Sequence, residues 1–204
     1  MLNKIKVERI LDIIKRDNYY RTPVNIKINL KGNTMTWNCE TFDLYNFKLN
    51  ITNEYEDYDW GEYFIKYAKK TFGLDDTWYK LYFDEMTELI VLLHEIGHTI
   101  FHNSFDNMSD CYLFNMMSTT DFHKNVKKGM NEQLAYRRTR NEFKADSIAC
   151  KIFKKHGVEM LSIVIGKPIK ELKREKLMYN LKQNKLNKSN EYILERREKY
   201  VQRF

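Results

Sequence analysis

Three of the five histidines in this 204-residue chain fall within one apolar run, "LLHEIGHTIFH" (92–102). Residues four apart on an α-helix are offset by only about 40° around its axis, so His94 and His98 project from the same face. Two imidazoles in this arrangement can supply two of the three protein ligands of a catalytic zinc site. The spacing therefore predicts one zinc ion per chain, bound by His94 and His98.

Glu95 completes an H-E-x-x-H pattern. Its carboxylate would lie near the metal but off the ligand face, where it can take a proton from the attacking water and pass it to a leaving amine. A site that only holds zinc would not need this carboxylate and would close its coordination sphere with a fourth ligand. A chance match on an ordinary helix is the alternative, but buried histidines without partners are costly. We therefore predict Glu95 as the general base of a metalloprotease, a hydrolase of peptide bonds.

A third metal ligand must come from elsewhere in the chain. A metzincin would place a histidine six residues after His98, but that position is Ser104, so this class is excluded. The gluzincin solution is a glutamate on a later helix, and "RRTRNEFKADSIACKIF" (137–153) offers Glu142 and Asp146, four residues apart among apolar residues. We predict Glu142 as the third ligand and Asp146 as the group that orients a ligand histidine, His94 in first place.

Two alternatives to this arrangement stay open at the level of the sequence. Glu142 and Asp146 could form an exposed acidic stripe balanced by nearby arginines. His123 could replace Glu142 as the third ligand.

Further residues could serve the same site. Enzymes of this kind need a donor that stabilises the oxyanion, and Tyr136, Tyr112 and His123 are the candidates. His102, one turn beyond His98, could lie behind the ligands or face the substrate, or it could interact with the carbonyl groups at the helix end. Cys111 could reach the zinc as an inhibitory thiolate, although burial is the more usual state of a free cysteine.

The elements that must position these residues can be read from periodicity, and few glycines and prolines favour helices. Residues 3–17 predict an amphipathic helix with Ile5, Ile10, Leu11 and Ile14 on its apolar face. Strict alternation in "VNIKINL" (24–30) predicts a half-buried strand. The predicted N-terminal sheet is small and antiparallel, and its further strands are "TMTWN" (34–38) and "FDLYNFKLNI" (42–51), after a turn at "KGN".

Helices dominate the rest of the chain. We predict a helix at 63–72 that is capped by "DWGE" and ended by Gly73, an active-site helix within 80–102, and a ligand-bearing helix at 131–156 that ends at Gly157. Residues 103–130 show no clear period and are expected to form an insertion or lid. One or two lysine-rich amphipathic helices follow Pro168. The predicted fold class is α+β.

The net charge of +7 belongs to the end of the chain. Residues 167–204 contain 12 Lys+Arg and 5 Asp+Glu, whereas the preceding 166 residues balance at 23 of each. We predict two domains, 1–166 with the site and 167–204 as a basic helical tail. The tail could meet nucleic acid, but its interspersed glutamates favour a solvated helix with intrahelical ion pairs.

Composition also limits the compartment. Three widely spaced cysteines give no disulfide framework and no Cys-x-x-Cys metal knuckle. The charged N-terminus lacks the pattern of a signal peptide, and the most apolar window is too short to span a bilayer. We expect a soluble, cytoplasmic protein with no membrane partner.

"HEIGHTIFH" followed by "NEFKADSIACKIF" resembles the ImmA/IrrE family of metallopeptidases, which occur in mobile elements and stress regulators. Their pattern is H-E-x-G-H with a later E-x-x-A-[ND]-x-x-A helix, matched here by Glu142, Ala145, Asp146 and Ala149. The resemblance covers about residues 85–156. It implies a zincin-like fold, zinc held by His94, His98 and Glu142, and cleavage of an intracellular regulatory protein such as a helix-turn-helix repressor.

The predicted function is thus a soluble intracellular zinc endopeptidase that acts on a regulatory or host protein. A toxin-like or phage-encoded protease would differ only in its target. The alternative from another class is a zincin-fold regulator or binding module that acts through protein or nucleic-acid contacts without proteolysis.

Overall fold

The computed structural model describes residues 2–30, 38–51, 69 and 77–201, with side chains up to residue 186. The protein is α+β, with a small three-stranded sheet and predominant helix. Its elements follow the order α1 (Lys4–Arg16), β1 (Asn25–Asn29), β2 (Asn38–Thr41), β3 (Asn46–Asn50), α2 (Thr77–Leu81), α3 (Phe83–Asn103), α4 (Met108–Lys127), α5 (Glu132–Arg137), α6 (Arg140–Ile165) and α7 (Ile169–Val201).

The chain divides into two compact units, Met1–Ile165 and Gly166–Phe204. The first contains the sheet and every residue proposed from the sequence for the site. The second contains α7, a single helix that begins directly after Pro168. Within it, Lys167 forms ion pairs with Glu175 at 2.7 Å and with Glu171 at 3.8 Å. No helix among the described residues combines the length and the apolar character needed to cross a membrane.

Helix α1 forms as its periodicity predicts. The side chain of Asn3 caps it by accepting a hydrogen bond from the Lys6 amide at 3.0 Å. The predicted positions Ile10, Leu11 and Ile14 are buried, but Ile5 is 68% exposed, so its placement on the apolar face was wrong. Five residues turn a helix by about 500°, which puts Ile5 about 140° away from Ile10.

The sheet is mixed, so the prediction of a purely antiparallel sheet is wrong. Its strand order is β1-β3-β2, with β1 parallel and β2 antiparallel to β3. Alternation shows that a strand is half-buried, but it contains no information about the direction of the neighbouring strand. The central strand β3 carries the fully buried Phe47 and Leu49.

Asparagines hold the strands in register. The side-chain amide of Asn29 donates to Asn50 at 2.9 Å, and that of Asn50 donates to Asn38 at 2.7 Å, so one chain of hydrogen bonds crosses all three strands. Strand β3 begins only at Asn46, because Asp43 accepts from the amides of Tyr45 and Asn46 (both 2.7 Å) in a turn. Of the predicted strand 34–38 only Asn38 is described. The "KGN" turn, the "DWGE" cap, Gly73 and all of the helix 63–72 except Lys69 lie outside the described residues.

Helices α3 and α6 form the core that carries the site. Leu92, Leu93 and Ile96 of α3 are fully buried. A Cβ atom added at Gly97 would lie only 2.5 Å from the carbonyl oxygen of Ala145, so only glycine allows this approach of the two helices. The contact sets the first half of α6 directly against the H-E-x-x-H turn of α3.

The predicted irregular segment 103–130 is instead mostly helix, α4. Asn107 caps it by accepting from the Asp110 amide at 3.0 Å. Only Cys111 and Ser118 of this helix are buried, so no apolar stripe was present to reveal it.

The predicted helix 131–156 also differs from the structure. It is split into α5 and α6 by a break at residues 138–139, and α6 passes through Gly157 and ends at Ile165. Gly166, with φ +82°, has the left-handed backbone conformation that was expected of Gly157.

Candidate metal centre

The ligand atoms predicted from the sequence converge on one point. Nε2 of His94 lies 3.2 Å from Nε2 of His98 and 3.2 Å from Oε2 of Glu142, and Nε2 of His98 lies 3.3 Å from Oε1 of Glu142. Helix α3 supplies both imidazoles from successive turns, and α6 supplies the carboxylate across the Gly97 contact. This buried group could hold a metal ion.

Asp146 contacts His94, the ligand histidine that it is predicted to orient. Its Oδ1 lies 2.7 Å from Nδ1 of His94 and, since a carboxylate only accepts, Nδ1 is the donor. In the neutral tautomer the lone pair of His94 is then on Nε2, directed at the Glu142 carboxylate. Two lone pairs at 3.2 Å repel each other unless a cation, a proton or a metal ion, lies between them.

The pKa values of His94 and Glu142 are both shifted in the direction that favours a cation between the two side chains. Burial alone would lower the pKa of His94, but its contacts with Asp146 and Glu142 raise it to about 10. Burial alone would raise the pKa of Glu142, yet the two histidines hold it well below its usual range. Glu142 and Asp146 are 2% and 3% exposed, so they do not form the exposed acidic stripe that the sequence left open as an alternative.

Arg137 is a neighbour that the sequence did not single out. Its Nη1 lies 3.3 Å from Oε2 of Glu142, and its side chain is largely buried. The sequence suggested only a surface charge at Arg137; its burial and its contact with the ligand carboxylate place it in the site.

Glu95 lies beside the ligands without joining them. Burial raises its pKa, and the neighbouring His94 and His98 act in the opposite direction. Cys39 on β2 is close enough for the charge of Glu95 to contribute to its raised pKa of about 12, although burial is the main cause. Glu95 of α3 and Cys39 of β2 line the same cleft.

A cleft of about 690 Å³ opens over these residues. Its floor is the α3 turn with His94, Glu95 and His98. Strand β2 lines one part through Asn38, Cys39 and Thr41, and α4 lines another through Asn115, Ser118, Thr119 and Phe122. The four α4 residues recur at helical spacing and three of them are polar, so the helical conformation brings them to one face.

The three candidates for the oxyanion donor lie in different places. Tyr136 lines the cleft with 53% of the residue exposed, and partial desolvation together with the charge of Glu142 raises its pKa. Tyr112 is 67% exposed, and neither it nor His123 is among the described residues that line the cleft. His123 is also outside the group of candidate ligands.

Two further predicted residues contact each other. His102 lines the cleft, and its Nδ1 lies 3.4 Å from Sγ of Cys111. Cys111 is buried, which agrees with an ordinary buried cysteine, the alternative to a thiolate that reaches the zinc.

One buried atom on the cleft wall lacks a partner. Oδ1 of Asn141, the residue before Glu142, is enclosed without a hydrogen-bond donor among the described residues. A buried acceptor of this kind is costly unless a ligand or water supplies the donor.

Comparison of the chain with protein-family models, with curated proteins and with solved structures gives no match, so the function has to be inferred from the site itself.

Proposed function

We propose that this protein is a zinc-dependent endopeptidase of the gluzincin type, related to the ImmA/IrrE metallopeptidases and zincin-like in its fold. The observation that carries the proposal is the spacing of the donor atoms, which are two imidazole nitrogens and the two oxygens of one carboxylate. Tetrahedral zinc with bonds of about 2.0–2.1 Å separates its ligand atoms by about 3.3–3.4 Å. The closest approaches among His94, His98 and Glu142 are 3.2, 3.2 and 3.3 Å.

Zinc held there supplies Lewis-acid polarisation of the scissile carbonyl and a lowered pKa for water. His94 and His98 keep their Nε2 lone pairs directed at the ion, and the hydrogen bond from His94 to Asp146 fixes the tautomer that this requires. Glu142 would complete the set of protein ligands.

Glu95 takes the proton from the attacking water and delivers it to the leaving amine. Its pKa lies above the usual value because of burial, which makes the carboxylate a better proton acceptor near neutral pH. Tyr136, the one of the three oxyanion candidates that lines the cleft, donates its hydroxyl to the developing oxyanion.

The cleft suits an extended peptide. Strand β2 is an edge of the described sheet and lines the cleft beside Glu95. A peptide that adds to this edge gains backbone hydrogen bonds without any demand on its sequence.

Metal content is the first test. Protein purified without a chelator or a polyhistidine tag should contain about one zinc ion per chain, and Glu142→Ala should lose it or bind it far more weakly. Glu95→Gln is the matched control, because it alters a neighbouring carboxylate outside the ligand set and should retain the metal. Wild-type protein that binds no zinc after reconstitution would refute the proposal.

The substrate class is proposed from the resemblance alone: an intracellular regulatory or host protein, for example a repressor. Labelling of new protein N-termini in cells that express the wild type, against cells that express Glu95→Gln, should reveal cleavage sites in the wild-type sample only. Identical N-termini in both samples would favour the binding-module alternative.

A further inference from the structure

His102 is the one histidine of the opening run that the metal centre leaves without a role. It lies one helical turn beyond His98 and lines the same cleft, yet it is not part of the ligand group. Its side chain is almost enclosed, at 7% exposure, so its few contacts determine its orientation.

The contact that determines this orientation is made by Cys111 on α4. Sγ of Cys111 lies 3.4 Å from Nδ1 of His102, and the side-chain amide of Asn115 donates to the same sulfur at 3.9 Å. With Asn115 as donor to the sulfur, the thiol hydrogen is available for the better acceptor, the ring nitrogen of His102.

Both groups are neutral. Burial, with a smaller contribution from His98, lowers the pKa of His102 to about 4, and burial raises the pKa of the Cys111 thiol. A neutral imidazole has one ring proton. If Nδ1 accepts from the thiol, that proton is on Nε2. The protonated, buried thiol is unsuited to act as a nucleophile.

Nε2 of His102 is open to the cleft. No described group forms a hydrogen bond with this nitrogen, and it is not among the enclosed polar atoms without partners. A polar nitrogen that is neither bonded nor enclosed has access to solvent, and for His102 the adjoining space is the cleft.

We propose that His102 is a substrate-positioning residue, held by Cys111 in the tautomer with the proton on Nε2, and that this N–H donates a hydrogen bond to a carbonyl oxygen of the bound peptide. The inference rests on the proposed peptidase function for the identity of the ligand, but not for the tautomer. Helix α4 then has two roles, because it forms a wall of the cleft and also sets the hydrogen-bonding character of a group on α3.

The tautomer can be measured without metal or substrate. Long-range proton–nitrogen NMR spectra of ¹⁵N-labelled, zinc-free, full-length protein at pH 7 should show one histidine with protonated Nε2 and unprotonated Nδ1 that is lost in His102→Gln. Cys111→Ser, which keeps a donor, should preserve the pattern, and Cys111→Ala should give a mixture of tautomers. A proton on Nδ1 or a charged ring in the wild type would overturn the proposal.

Ligand binding tests the positioning role. Acetohydroxamate reports on the metal alone, whereas N-acetyl-trialanine hydroxamate adds peptide carbonyl groups. In zinc-loaded protein, His102→Ala should weaken binding of the peptide compound by between about twofold and about tenfold, the value of one hydrogen bond, and leave acetohydroxamate unchanged. His102→Gln retains an N–H donor and should recover much of the loss.

The outcomes separate the two proposals. Absence of acetohydroxamate binding by the wild type would refute the zinc site itself. Binding of both compounds with no loss for the peptide compound in His102→Ala, or an equal loss for both, would overturn the role of His102 and leave the peptidase proposal intact.

Discussion

Gly97 is the point at which the structure makes its most demanding prediction. A Cβ atom at this position would lie 2.5 Å from the Ala145 carbonyl oxygen, whereas Cβ contacts under 3.0 Å are essentially never seen. Gly97→Ala therefore forces α3 and α6 apart by about 0.5 Å or more, because a backbone carbonyl cannot rotate away as a side chain can. Alanine gains about 1 kcal/mol of helix propensity, but overpacking against backbone costs about 3 kcal/mol, for a net loss near 2 kcal/mol.

The same displacement reaches the metal centre. Glu142 and Asp146 lie on the part of α6 that contacts Gly97, and a functional constellation tolerates only about 0.5 Å of error. We therefore expect Gly97→Ala to lose at least about tenfold in zinc affinity. Denaturant unfolding of zinc-free protein gives the stability, and competition with a chromophoric chelator gives the affinity.

Gly157→Ala is the matched control. It is the same substitution within a helix, but the atoms nearest to the added Cβ belong to the ring of Phe153, at 2.8 Å, and a side chain can shift where a backbone carbonyl cannot. Its stability should change by less than about 1 kcal/mol and its zinc affinity should not change. If the two variants behaved alike in both assays, the reasoning about the helix contact would be wrong.

Four other predictions concern the site and the tail. Asp146→Asn should weaken zinc binding by about 10- to 100-fold, because the hydrogen bond that orients His94 is altered. Glu95→Gln is the control and should bind zinc with unchanged affinity. Equal zinc affinity in the wild type and Asp146→Asn would contradict this prediction. Because His94 has a pKa of about 10 without metal, zinc must displace a proton at neutral pH, so zinc affinity should rise with pH by up to about tenfold per unit until about pH 10. Calorimetry in buffers of different ionisation enthalpy should detect the released proton. A zinc affinity that does not depend on pH would contradict this prediction. Since that pKa is raised above 6.5, the contribution of His94 to the stability of zinc-free protein is complete below about pH 6.5 and lost as pH rises through about 10, which denaturation across this range can check. Finally, if residues 167–204 form only a solvated helix, their net charge of +7 should give weak retention on heparin that is lost at moderate salt. Retention that persists at high salt and disappears in a chain truncated after residue 166 would favour nucleic-acid binding.

Local periodicity predicted what depends on local geometry. Helix α1 and the half-buried strand β1 were confirmed because each has one apolar face with a regular period. The helix around His94 was confirmed because its long apolar run is buried nearly all round. Helix α4 was missed because it buries almost nothing, and the direction of β1 relative to β3 was wrong because alternation is the same in parallel and antiparallel pairs.

The residues of the candidate site also divide into those placed by local helix geometry and those placed by packing. The shared face of His94 and His98, with Glu95 beside it, follows from the rotation of about 100° per residue, so the sequence by itself determined it. Glu142 and Asp146 were recognised as a pair, but only packing could bring them within 2.7–3.3 Å of the histidines.

Tertiary structure alone decided the remainder. It brought Tyr136 rather than Tyr112 or His123 to the cleft, buried Arg137 beside Glu142, and set Cys111 against His102. Each of these depends on the approach of separate helices. Helix geometry is set by the backbone of neighbouring residues, whereas a contact between α3 and another helix depends on how all the side chains between them pack together.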